Sequence, residues 1–129
     1  MMRLYIVALE LLNIPHEIVV GCSRADAVFD KEFDSWSFLD EYLLYFPTTK
    51  KFLDPGSPIF RYGMIDQFME GNYALFIQKK KEGKETYPEG EVRLIPFSTI
   101  IDNHDDLAME VSFSPTMDQV QGKVTRQMT

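Results

Sequence analysis

The chain has 129 residues, 45% of them hydrophobic and 13% aromatic, which suits one ordinary domain with a real core and argues against disorder. Its 13 basic and 20 acidic residues give a net charge of −7, and no basic patch of the kind a nucleic-acid binder carries is visible. The single cysteine, Cys22, excludes an intramolecular disulfide, and no apolar run approaches a membrane span.

The N-terminus lacks the charged region, apolar stretch and small-residue cleavage site of a signal peptide, so the chain as given would stay in the cytoplasm. Residues 2–13 read as a helix, with Leu4, Ala8, Leu11 and Leu12 at helical spacing and Val7 beside them. Asn13 and Pro15 end it. No capping residue precedes it, so its start is expected upstream of Met1.

His16 to Cys22 reads as a strand. Ile18, Val19 and Val20 are continuous and β-branched, which implies cover on both faces. Residues 23–37 form a polar connection with scattered aromatics. Leu39 to Phe46 is the next strand, stopped by Pro47, and Lys51-Phe52-Leu53 pairs back as a short one before Asp54-Pro55-Gly56. Residues 57–71 are a loop apolar enough to lie on the core.

Asn72 to Gln78 is a strand. Lys79-Lys80-Lys81 and Lys84, broken by Glu82, Gly83 and Glu85, read as a solvated turn, and Tyr87-Pro88 as a stop. Glu91 to Ile95 follows as a strand. Leu107 to Phe113 alternates strictly, with Leu107, Met109, Val111 and Phe113 expected inward, as in a half-buried antiparallel strand. After the turn at Ser114–Asp118, residues 120–126 begin a partner strand that stops without closure.

The expected class is α+β, with one N-terminal helix packed on an antiparallel sheet and further antiparallel strands after it. The expected division is residues 1–71 and 72–129, the second part read as the truncated start of a β domain.

The chemistry-bearing residues are few. Cys22 and His16 share one face of a strand but lie about 20 Å apart along it, and no helix start follows Cys22 to activate its thiol. Cys22 is therefore expected to be structural. His104, in Asn103-His104-Asp105-Asp106, sits in a polar turn without calcium-loop spacing, and neither a metal nor a cofactor is expected. Asp40 and Glu41 are adjacent on a strand and point to opposite faces, so they do not form an acid–base pair. There is no Gly-rich phosphate loop, GxSxG, HExxH or CxxC. Trp36, Phe38, Phe60 and Tyr62 would make a peptide- or glycan-binding surface if they stand exposed together, and cover the core if they do not.

Read in order, Leu9-Glu10-Leu11-Leu12-Asn13-Ile14-Pro15 with the strand after it, then Tyr42-Leu43-Leu44-Tyr45-Phe46-Pro47, then Phe52-Leu53-Asp54-Pro55, the chain resembles the transglutaminase-like, papain-related core. The closer resemblance is to large bacterial proteins in which a β-rich region accompanies such a core. It rests also on Phe29-Asp30-Lys31-Glu32-Phe33-Asp34, on Gly71 to Ile77, and on Val111-Ser112-Phe113. The resemblance implies a cysteine at the head of the first helix, a histidine at position 41 and an acid at position 54, in a parent protein outside the cytoplasm. Position 41 is Glu41, and only Asp54 fits. An acid without thiol or imidazole has nothing to orient.

The expectation is a catalytically inactive fragment of a transglutaminase-like protein. It would serve as scaffold or interaction domain for a protein or peptide, with self-association through bare strand edges. The rival expectations are a cysteine-dependent hydrolase whose nucleophile lies upstream, and the binding module built on Trp36, Phe38, Phe60 and Tyr62.

Overall fold

A computed structural model describes residues 2–32, 35–99 and 104–128. The chain forms two compact units, one reaching Phe97 and the other starting at Ser98. The first holds a helix α1 (Met2–Leu11), a 3-10 turn (Trp36–Phe38) and strands β1 (Glu17–Gly21), β2 (Glu41–Phe46), β3 (Lys51–Leu53), β4 (Tyr73–Glu82) and β5 (Glu85–Leu94). The second is one hairpin, β6 (Asp105–Phe113) and β7 (Val120–Met128). The class is α+β, with the strands antiparallel throughout.

The expected division at residue 71 is corrected. The first sheet has the order β3-β2-β1-β4-β5, so β4 and β5 belong with the elements before them. Val19 lies opposite Leu43 on one side and Phe76 on the other, so β1 is the centre of the sheet. That position explains why Ile18-Val19-Val20 is apolar without a break: both faces of a central strand need cover.

On one face, Val19, Leu43, Phe52, Ala74 and Phe76 form a buried cluster with Ile95 and Met69. Met69 and the half-buried Ile65 come from the 57–71 segment, which lies over this face as its apolar content suggests. The other face carries Val20, Leu44 and Cys22, all buried. The two faces follow from the alternation of side chains along each strand.

Glu17 and Arg93 form an ion pair on the clustered face, with the guanidinium 3.9 Å from the Phe76 ring centre and 5.5 Å from that of Tyr45. Burial lowers the Arg93 pKa, yet a guanidinium stays charged at any physiological pH. Stacking on aromatic faces with a carboxylate partner is a way to place a half-buried cation in a core.

Several local expectations change. The Lys79–Lys81 run is not a turn. β4 continues through it to Glu82, and the reversal is the two residues Gly83-Lys84, with Gly83 at φ +65°. A two-residue hairpin loop needs positive φ, which glycine supplies without strain. Pro88 is not a stop either. It sits inside β5, opposite Lys79, on an edge strand where its missing N–H costs no ladder bond.

The helix ends at Leu11, and none of its residues is buried. Its half-buried stripe is Met2, Ile6 and Leu9, not the Leu4–Ala8–Leu11 stripe, whose members are exposed. Glu10 pairs with Lys79 of β4. In the second unit, Leu107, Met109, Val111 and Phe113 share one face as expected, but that face is exposed, not half-buried.

Candidate functional site

An open cleft of about 340 Å³ lies in the first unit, lined by Phe29, Asp30, Lys31, Ser35, Trp36, Phe38, Leu39, Leu75 and Val92. This volume is within the usual span of small-ligand sites. Its floor comes from the sheet, where Leu75 of β4 and Val92 of β5 are a cross-strand pair with side chains on the same face. Its walls come from the segment between β1 and β2.

Three local devices hold that segment in place. The first is Asn72, 1% exposed, immediately before β4. Its Nδ2 donates to the carbonyls of Cys22 (3.0 Å) and Ala27 (3.3 Å), while its Oδ1 accepts from the amides of Phe29 (2.9 Å) and Tyr73 (3.1 Å). One amide side chain thus satisfies the backbone of a loop that has no strand partner there.

The second is the ring contact of Phe29 with Phe38, whose centres are 5.0 Å apart. The third is the 3-10 turn itself. Ser35 Oγ caps it by accepting from Ser37 N, and Leu39 N donates to Trp36 O at 3.0 Å. Residues three apart eclipse in such a turn, so Trp36 and Leu39 stand on the same side and both face the cleft. Trp36 is 89% exposed, an unusual state for the largest apolar side chain in the molecule. The cleft holds charge of both signs, since Asp30 and Lys31 line it and the Lys31 ammonium lies 5.4 Å from the Tyr73 ring centre.

The structure brings together only half of the expected aromatic surface. Trp36 and Phe38 line the cleft. Phe60 does not line it and is only half-exposed. Tyr62 packs edge-on against Phe46 at the far end of β2, its hydroxyl hydrogen-bonded to that of Thr49. The expected four-residue patch is therefore corrected to a two-residue one, completed by Phe29, Leu39, Leu75 and Val92. Those last residues were missed as site members because local pattern marks them only as apolar strand or loop positions.

Cys22 is buried, as expected of a structural thiol. Its Sγ donates to Ala27 O at 3.3 Å and is 3.6 Å from Asn72 Nδ2. Burial raises its pKa, which keeps it in the unreactive thiol form. His16 precedes the opposite end of β1, and its Nδ1 is 2.9 Å from Ile14 O.

Glu41 opens β2 and Asp54 follows β3, so antiparallel pairing places both at one end of the sheet. Asp54 Oδ1 accepts from Gly56 N at 2.8 Å and Ser57 N at 3.2 Å, which makes it a turn-forming residue. Loss of hydration, then repulsion from Asp40, Asp54, Asp66 and Asp26, raises the Glu41 pKa. Among the described residues, no three His, Cys, Asp or Glu side chains group so as to hold a metal ion, and no helix is long and apolar enough to cross a membrane. No family model, curated protein or solved structure matches the chain.

Proposed function

We propose that this chain is a non-catalytic binding module whose ligand seat is the cleft under Trp36. The observation that carries this reading is a fully displayed tryptophan held by a capped turn over an apolar floor. A large aromatic side chain left in water costs free energy that burial by a ligand returns. The peptide or glycan reading is thereby narrowed to Trp36 and Phe38, with Phe60 and Tyr62 set aside.

The inactive reading is supported by the chemistry at the alternative positions. The thiol of Cys22 is buried and engaged with Ala27 and Asn72. The end of the sheet where a transglutaminase-like core would hold its histidine and acid presents Glu41 and Asp54, two carboxylates. Their placement at one end of paired strands supports the resemblance in fold. It offers no imidazole to take a proton from a thiol.

Trp36 is the only tryptophan, so its fluorescence reports on the cleft without interference. Titration with short aromatic peptides and with oligosaccharides is expected to shift its emission to the blue and to protect it from acrylamide, saturably, for one of the two classes. No shift with either class, or an amine-transfer or thiol-hydrolase activity lost in Cys22→Ala, overturns the proposal.

A further inference from the structure

The cleft opens beside the outer strand of its sheet, and the two features together define a ligand more narrowly than either alone. Among the described residues, β5 is the last strand of its sheet and pairs with β4 alone. Its Val92 belongs both to that edge and to the cleft. We infer that the cleft takes an extended peptide that adds to β5 as a sixth strand, dropping one large apolar side chain under Trp36 and setting a lysine or arginine beside it against Glu91. This rests on the cleft being the ligand seat and names the class of ligand for it.

The alternation of β5 carries the argument. Gly90, Val92 and Leu94 point to the cleft face, and Glu89, Glu91 and Arg93 to the other. A residue added opposite Val92 therefore points toward the cleft, and its neighbours point toward the acidic side.

The charges on that side are unequal. Glu89 is already met by Lys80 at 2.7 Å, and Arg93 by Glu17. The Glu91 carboxylate is 68% exposed, and its ion contact with Arg93 is long, at 3.7 Å. It is the acid best placed to meet an incoming cation, and the net charge of −7 favours cationic peptides at longer range. The same acids discourage the obvious competitor. Pairing β5 with another β5 would bring Glu89 and Glu91 against their own kind, and Pro88 offers no N–H.

The test uses the full chain and Trp36 emission. The probe is a seven-residue peptide of β-branched residues, blocked at both ends, with a central phenylalanine between two lysines. It is expected to bind saturably with a blue shift. Glutamates in place of its lysines are expected to abolish binding. Methylating one alternate set of its backbone nitrogens should also abolish it, while methylating the other set is tolerated, because only one set faces β5. Glu91→Gln should weaken binding about three-fold and Glu91→Lys about ten-fold at low ionic strength, with unchanged far-ultraviolet dichroism.

Equal binding of the lysine and glutamate peptides, or tolerance of both methylation sets, overturns strand addition and leaves the cleft as a ligand seat. An oligosaccharide shifting Trp36 while no peptide does has the same meaning. Silence of Trp36 toward every peptide and every oligosaccharide overturns both proposals.

Discussion

The sheet of the first unit and the hairpin of the second are built from the same kind of strand and end in opposite states. Val19, Leu44 and Ala74 are 0% exposed in the sheet, whereas Leu107, Met109, Val111 and Phe113 are each more than half exposed in the hairpin. Alternation along a strand decides which side chains share a face; a second layer of chain decides whether that face becomes core. The sheet receives such layers from 57–71, which brings Met69 and Ile65, and from the segment carrying Phe29 and Phe38. Among the described residues of its own unit, the hairpin has no such layer. It is held by its ladder, by the Arg126–Asp105 ion pair at 2.5 Å and by a turn in which Ser114 and Thr116 donate to Asp118.

The contrast makes quantitative demands. Leu44→Ala should cost about 3 kcal/mol of stability, read from urea midpoints, because it empties a site with no exposed surface. Asn72→Ala should cost about 2 kcal/mol, since it strands the amide of Phe29 and the carbonyl of Cys22 in a buried place. It should also weaken cleft binding by loosening the wall.

Glu41→Gln tests a smaller term with a definite sign. The folded-state pKa of Glu41 is raised, so the folded chain holds this proton more tightly than the unfolded one. Stability from this group is then greatest at low pH and falls as pH rises through the carboxylate range. The variant should therefore be slightly more stable than the parent at pH 7, with the gain fading on acidification; an unchanged gain at low pH contradicts the assignment. Glu41 is exposed, and screening keeps the effect small. Smallest of all, Met109→Ala should shift stability by less than about 0.5 kcal/mol. A loss rivalling that of Leu44→Ala would mean that the hairpin face is covered in solution, and the contrast between the units would fail.

Much of the sheet was legible. Ile18-Val19-Val20 announced a strand covered on both sides, the aromatic strand before Pro47 became β2, and the alternation from Leu107 to Phe113 became β6. The errors share a cause. Pro88 is a stop in the interior of a sheet and harmless at an edge, but edge position is a property of the assembled strand order. The inward reading of Leu107 failed for the same reason, since period shows a common face and says nothing about its cover.

The cleft was half legible. Trp36 and Phe38 stood out as aromatics in a polar stretch. Leu75 and Val92 reach them only because β4 pairs with β1, a register spanning residues 18 to 77. The alternation of Ala74 and Phe76 against Leu75 and Ile77 was the available signal for which residues face it. Asn72 left no signal, because a polar residue before a strand reads as part of a turn until its four partners are known.

The central place of β1 has a practical consequence for anyone shortening this chain. Both of its neighbours follow it in sequence, β2 soon after it on one side and β4 much later on the other. A product ending at residue 71 would retain β1 to β3 and leave Ile18, Val19 and Val20 with an open ladder of amides and carbonyls. Such a product is expected to precipitate or stack with its own kind, while one ending after Phe97 keeps that seam closed.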